Sequence, residues 1–396
     1  DYKNYNLDIT NQIKKEALAI KSVGGRIVHT VTELFSSSKI INQTNFNLTD
    51  EQKLIINKIK KNTYLNSDSK ISSTMNSLSD LKVLVIGETI IDEYVYCEAL
   101  GKSGKEPILV LRDLYKEKYI GGTAAIARNV SSFCKKITLL TNIGQKNDEK
   151  KFIKNNLEKN IKTIFLNKKN SPTITKKRYI EHINKTKIFG VYSLNDAPLD
   201  GDQESKLNKK IQKLIKDHDL VIVSDYGHGL ISDKTAKLIV KKSKFIAVNT
   251  QLNASNLGFH VISKYIGANF ITINETEMRH ELRNKTEDCI PLIKTLSKKL
   301  RSKYTHVTSG SMGSTIYNST LKEINSCPAF ANKIVDKVGT GDTMLAILAI
   351  SLFKKFDIKF TMFLSALVAA QNIQDMANKT PVNKVNITRA IQSYLK

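Results

Sequence analysis

The chain of 396 residues is 41% hydrophobic and 25% charged, longer than one ordinary domain and apolar enough to bury a large core. That excludes a disordered chain, a collagen-like repeat and a disulfide-stapled miniprotein. Its 62 Lys and Arg against 37 Asp and Glu give +25 at pH 7; the excess is mostly Lys scattered among Asn and Ile, so it predicts attraction to anions, phosphorylated metabolites included, and no specific nucleic-acid face.

Cys97, Cys134, Cys289 and Cys327 lie far apart with no CxxC pair, which argues against a zinc site and fits a reduced, cytoplasmic chain. The apolar stretches 344–353 and 362–373 each fall short of the roughly 20 residues of a bilayer crossing. No secretory leader pattern opens the sequence, and no membrane partner is expected.

Residues 1–61 read as helix, strand, helix. Ile13, Ala17, Leu18 and Ile20 form an apolar stripe behind the cap-type Asp8 and Thr10, ending at Gly24-Gly25. A strand over 26–31 follows. Thr49, with Gln52 three positions on, sets a capping box for a helix whose stripe is Leu54, Ile55, Ile56 and Ile59. One strand between two helices cannot close a core, so this short α/β piece is either the tail of a cut domain or an appendage that docks elsewhere. The polar, Ser- and Asn-rich stretch 62–80 reads as a linker.

Lys82-Val-Leu-Val-Ile-Gly87 is a continuous apolar run, the mark of a strand buried on both faces. Runs at 137–140, 220–224, 245–248, 270–273 and 306–308 repeat it, mostly with helical patterns between them. That alternation predicts βαβ units, hence an α/β domain over 81–396 with a parallel sheet and helices on both faces. Segments 94–120 and 173–194 alternate apolar and polar residues with no room for a helix, as antiparallel strands of a small second sheet would.

Ligands of an open α/β sheet collect beyond the carboxyl ends of its strands. There Asp336-Lys-Val-Gly339-Thr340-Gly341-Asp342 leads into an apolar helix. The glycines let successive N–H groups point one way as an anion nest, and the helix start adds free N–H groups and a positive dipole end. A carboxylate at Asp342 can take a proton from a hydroxyl while the nest holds a phosphate in transfer. An isolated Asp at a helix start is more often a plain cap; the Gly-Thr-Gly before it favours chemistry. Lys176 and Arg178 alternate on one face of a strand and can both point at an anionic group on an acceptor, with a solvated strand face as the bland alternative. Asp225 and His228, in Asp-Tyr-Gly-His-Gly, lie at another strand end, where the glycines suit a tight turn over the cleft.

Gly339-Thr340-Gly341-Asp342 resembles the Gly-x-Gly-Asp signature of the ribokinase-like (PfkB-type) carbohydrate kinases. Further echoes follow in order: Gly87-Glu-Thr-Ile-Ile-Asp92-Glu-Tyr, Gly121-Gly122 before a helix, Pro172-Thr-Ile-Thr-Lys176, Ser224-Asp225-Tyr226 and Asn274-Glu-Thr-Glu277. Together they are similar to the sugar-kinase half of bifunctional heptose-phosphate kinase/nucleotidyltransferase proteins. Residues 1–61 resemble the end of the nucleotidyltransferase domain, without its phosphate-binding start. The resemblance implies a three-layer α/β/α sandwich with a β-sheet lid from 94–120 and 173–194 that closes over the sugar and supports a homodimer. It implies ATP and Mg²⁺ as cofactors and a sugar or sugar phosphate as substrate.

By position, the resemblance makes Asp342 the general base and the amides of Gly339, Thr340 and Gly341 the anion hole. Asn274 and Glu277 then organise Mg²⁺ and phosphate, partly through water. Thr308-Ser-Gly310-Ser-Met-Gly313 becomes the nucleotide-binding turn, through Thr308, Gly310 and Gly313. Asp92, Gly121 and Gly122 fall on the sugar side, with Asn129 a weaker candidate on the next helix. The chain departs from the pattern at Asn249-Thr-Gln251, where Asp-Pro-Lys is the rule, at Ala125 in place of Asn, and at Glu88 in place of Asp. The expected function is ATP-dependent phosphorylation of a sugar or sugar-phosphate hydroxyl. The alternatives are a catalytically silent sugar or nucleotide sensor of the same fold and, on charge alone, a nucleic-acid binder.

Overall fold

The computed structural model describes residues 18–25, 48–61, 65, 67–146, 149–259, 261–331 and 333–396. The chain divides into two units, Asp1–Asn47 and Leu48–Lys396. In the first, residues 18–25 are the end of a helix, closed by the N–H groups of Gly24 and Gly25 on the carbonyls of Lys21 and Ile20. The expected strand at 26–31 lies outside the described residues.

In the larger unit the elements run in chain order as α1 (Asp50–Lys60), α2 (Asp68–Asn76), β1 (Lys82–Lys102), β2 (Leu109–Gly121), α3 (Gly122–Ser131), β3 (Lys136–Lys146), α4 (Lys150–Asn155), β4 (Ile161–Pro172), β5 (Thr175–Glu181), β6 (Lys187–Ser193) and α5 (Gly201–Lys216). Then come β7 (Leu220–Asp225), α6 (Asp233–Lys242), β8 (Ile246–Thr250), β9 (Phe270–Asn274), α7 (Glu275–Leu282), α8 (Cys289–Leu300), β10 (Tyr304–Thr308), β11 (Ser314–Asn318), β12 (Glu323–Cys327), α9 (Thr340–Phe353), α10 (Ile358–Asn372) and α11 (Lys384–Leu395).

The Thr49–Gln52 capping box forms as the sequence predicts. Its helix α1, however, belongs to the larger unit: Ile55, Ile56 and Ile59 are buried in that unit's core, and Gln52 donates to the Ala329 carbonyl. The linker reading of 62–80 is corrected as well. Residues 68–76 form a helix capped by Ser67, because Ile71 and Met75, four apart, supply one apolar stripe that the same core buries together with Leu78 of the turn that follows. Polar composition hid that stripe.

The main sheet runs β12-β11-β10-β9-β8-β7-β1-β3-β4 and is parallel except at the β10–β11–β12 edge. The continuous apolar runs are its strands because both faces are covered. Val83 and Val85 pack in one core with Leu345 and Leu364, while Leu84 and Ile86 pack in the other with Ile211 and Ile239. The two most apolar stretches are α9 and α10, buried along most of their length. Among the described residues no helix is long and apolar enough to cross a membrane.

A second sheet, β2-β1-β5-β6, stands over one end of the first, and the 21-residue β1 belongs to both. Its strands arise from the two alternating segments, but β1 and β5 pair in parallel where antiparallel strands were expected. The cause is the chain path: β4 runs parallel to β3 in the main sheet and continues through Thr173 and Ile174 into β5, so β5 leaves the core in the same sense as β1.

Candidate active site

Beyond the carboxyl ends of β7–β10 and beside the middle of β1, where it leaves the main sheet for the small one, lies a cavity of about 480 Å³. The 336–342 turn forms one wall. Gly339 has φ +82°, and a Cβ there would sit 2.0 Å from Asn378 Oδ1, so only glycine fits. The N–H of Thr343 closes the first helical turn on the Gly339 carbonyl (2.9 Å), and that of Thr340 makes a long bond (3.4 Å) to Lys337. Among the described residues the N–H groups of Gly341 and Asp342 have no acceptor, the usual condition of a helix start and a ready anion site.

Asp342 is half-buried and takes a 2.6 Å hydrogen bond from the Tyr226 hydroxyl on Oδ1. Desolvation pushes its carboxyl up to about 7; the Tyr226 bond and the Lys176 charge oppose the rise, while Asp92 and Glu277 add to it. Such a group is ionised at slightly alkaline pH and remains basic enough to accept a proton.

At one end of the cavity stand Asp92, Lys176 and Arg178. The β1–β5 register sets Asp92 opposite Lys176 and Tyr94 opposite Arg178, so all four share one face, from which Asp92, Lys176 and Arg178 line the cavity. Arg178 donates to Asp92 Oδ1. The Lys176 ammonium has no carboxylate partner among the described residues; it lies 5.7 Å from the Tyr192 ring centroid and 5.8 Å from that of Tyr226, and burial lowers its pKa. Gly121 and Gly122 permit this crowding: a Cβ on the first would meet Asp92 Oδ2 at 2.2 Å and on the second the Glu88 carbonyl at 2.5 Å.

Lys187 of β6 reaches Asp336 Oδ1 at 2.6 Å, and the Tyr94 hydroxyl donates to Oδ2 at 2.5 Å. The same carboxylate accepts the N–H groups of Val338 and Ala377. Burial works against ionisation there, yet Lys187 and Tyr94 hold the Asp336 carboxyl below its usual range. The small sheet is thereby tied to the glycine turn.

At the other end are Asn274, Glu277 and Thr308. Asn274 caps α7 in a second capping box, its Oδ1 accepting from Glu277 N at 2.8 Å. Glu277 accepts the N–H groups of Leu252 and Asn274, one on each oxygen, and burial raises its pKa. Among the described residues no group of three or more His, Cys, Asp and Glu converges as a metal site. With Glu277 already occupied, the donor set fits a cation that keeps its water shell and travels on a phosphate.

Other expected site residues are placed elsewhere. Asn129 is buried and ties α3 to the start of α9 by donating to Thr343 Oγ1 (2.9 Å), and to the segment before α11 by accepting the Val382 N–H (3.1 Å). Asp225 turns away to Tyr265 and Lys264, and the enclosed His228 ring pairs with Asp196. Both are drawn into the packing because the Asp225 carboxylate and His228 Nδ1 find partners behind the cavity, while His228 Nε2 is buried without one among the described residues. The Thr340 hydroxyl bonds Lys337 and Asn372. Gly310 and Gly313 shape the turn after β10 without lining the cavity; a Cβ on Gly313 would meet the Cys327 carbonyl at 2.1 Å.

Tyr226, Lys187, Tyr192 and Asp336 line the cavity without having been singled out. Two of them carried a signal, Tyr226 in Ser224-Asp225-Tyr226 and Asp336 at the head of the glycine run. Of the departures, Asn249 and Gln251 line the cavity, whereas Glu88 is buried beneath it and Ala125 is buried in α3.

This layered parallel sheet with a β-sheet cover is the ribokinase-like fold. Escherichia coli phosphofructokinase-2 in complex with potassium matches 80% of this chain and 99% of its own at TM-score 0.63 and 12% identity. Arabidopsis thaliana ribokinase complexed with ribose and ATP matches the same shares at TM-score 0.57 and 17% identity. Residues 80–384 match the pfkB family carbohydrate kinases, and the chain belongs to that family. Its curated relatives include the bifunctional protein HldE of Campylobacter jejuni (strain RM1221), 29% identical over 282 residues, and that of Helicobacter pylori (strain G27), 30% identical over 287. Each alignment covers 70% of this chain but only 58% and 59% of the relative, so the chain spans less than two thirds of their length.

Proposed function

We propose that the protein transfers the γ-phosphoryl group of ATP to a hydroxyl of a sugar or sugar phosphate, with Asp342 as general base and the Gly339–Gly341 amides as the anion hole. The observation that carries this reading is Asp342 at an open-amide helix start, between a cationic end and a polar end of one cavity. The acceptor oxygen bonds to the γ-phosphorus as the bond to the β–γ bridging oxygen breaks. The hydroxyl proton passes to Asp342, and the electron pair leaves with ADP. The acceptor-free amides of Gly341 and Asp342, with that of Thr340 once it gives up its long bond to Lys337, offset charge on the phosphoryl oxygens. Asn274 and Glu277 would hold Mg²⁺ by way of water, and the ion would supply charge neutralisation on the phosphates.

Asp92 takes sugar hydroxyls, and Lys176, with Arg178 behind it, suits an anionic substituent, which favours a phosphorylated acceptor of the heptose or hexose type. The small sheet serves as the lid that excludes water and limits ATP hydrolysis. A coupled ADP-release screen against free and phosphorylated hexoses and heptoses tests this. We expect Asp342→Asn to abolish sugar-dependent ADP formation while ATP still binds; unchanged turnover would remove the base from Asp342.

A further inference from the structure

Tyr226 follows the last residue of β7 and is 2% exposed, yet its hydroxyl lies against the Asp342 carboxylate. Its backbone is clamped from two directions. The N–H donates to Glu88 Oε2 at 3.0 Å, and the carbonyl accepts from Asn253 Nδ2 at 2.8 Å and Asn256 Nδ2 at 3.0 Å. Glu88 also takes the N–H groups of His228 and Leu230, so one buried carboxylate fixes the whole turn.

We propose that Tyr226 is a positioning residue for the phosphoryl transfer, its phenol holding one oxygen of Asp342 and leaving the other as the proton acceptor that faces the substrate. This rests on the kinase reading above. Among the described residues Asp342 Oδ2 takes no hydrogen bond, whereas Oδ1 is occupied. A carboxylate free to rotate about its Cβ–Cγ bond offers either oxygen at a range of angles; one pinned by a buried phenol offers one oxygen at one angle. The phenol stays protonated throughout the working range, because burial and the neighbouring Asp342 charge raise its pKa well above the ordinary value, so it acts only as a donor. A donor to the ionised form also opposes the desolvation of Asp342. The charged groups facing that carboxylate are Asp92, Lys176 and Glu277, and the Lys176 ammonium sits over the Tyr226 ring itself. A tyrosine present only to fill space would be replaced by phenylalanine without consequence.

Tyr226→Phe tests this. We expect kcat at neutral pH to fall about tenfold, as loss of a hydrogen bond to a charged group implies. KM for ATP should stay within about twofold, the acid limb of the pH–rate profile should move to higher pH, and part of the lost rate should return in alkali. A kcat within about twofold of wild type, with an unmoved limb, overturns the proposal. A second readout needs no substrate: in protein carrying ¹³C-carboxyl aspartate, with the resonance assigned through Asp342→Asn, the Asp342 midpoint should rise in Tyr226→Phe. If it does not, Tyr226 does not hold the base. Absence of sugar-dependent ADP from the wild type would instead defeat the kinase reading and leave this titration to decide Tyr226 alone. Should Tyr226→Phe fail to fold, Asn253→Ala keeps the phenol but loosens its clamp. The Asp342 midpoint must then move upward, or the proposal falls.

Discussion

Replacing the Asp342 carboxyl by a carboxamide reads the electrostatics of the glycine turn through stability, with no substrate present. The carboxyl moves from 3.8 to about 7, with burial as the largest cause. A group of this kind binds its proton more tightly in the fold than in the unfolded chain. The fold therefore loses stability as pH climbs from about 4 to about 7, and the loss is complete above that. The displacement corresponds to about 4 kcal/mol. Water entering the cavity mouth screens the half-buried carboxylate, and we expect about 2 kcal/mol to remain. Asparagine keeps an acceptor oxygen for Tyr226 and has no charge to desolvate, so Asp342→Asn escapes the loss. In calorimetric melts the variant's Tm should gain on the wild type as pH rises, by about 3 °C near pH 8 for a unit of this size. An offset that does not change with pH, or a variant that is less stable in alkali, would refute a desolvated carboxylate at this turn.

Two further outcomes follow from the packing. Lys187→Ala removes the ammonium that ties the small sheet to Asp336; acceptor phosphorylation should drop about fivefold relative to acceptor-independent ATP hydrolysis, with Lys187→Arg restoring the ratio. An unaltered ratio would separate the lid from the turn. Ile59→Ala, in α1 and 1% exposed, should cost about 3 kcal/mol in denaturant unfolding. A change within about 0.5 kcal/mol would mean that α1 does not pack on the core as described.

The parallel strands were legible in the sequence because burial on both faces leaves a mark that needs no knowledge of neighbours: Val83 to Ile86 must all be apolar wherever the helices lie. The β10–β12 edge was harder to read, since β11 and β12 are short and partly exposed, and nothing local distinguishes Glu323–Cys327 from a loop. Helix α2 escaped because three apolar residues in a serine-rich stretch gain meaning only from the core that receives them. In the site, the glycine turn, the Asn274–Glu277 box and the Asp92 strand were visible as local patterns. Membership of the cavity depends on cross-strand register and on which way a strand-end side chain turns. Asp225 and His228 turned back toward Lys264 and Asp196 while Tyr226, between them, turned forward. No spacing rule separates these cases.

The shared strand has a mechanical consequence. In β1, pairing with the main sheet ends at Glu88 and pairing with the small sheet begins at Ile90, so a single residue, Thr89, lies at the handover. Both its N–H and its hydroxyl are held by Thr141. The cover is therefore built as a cantilever rooted in the core instead of hanging from a loose joint, and Asp92 lies on that beam only a few residues from its root. If Asp92 takes the acceptor as proposed, a load on its carboxylate would fall on the beam itself, with no connecting loop between that residue and the root.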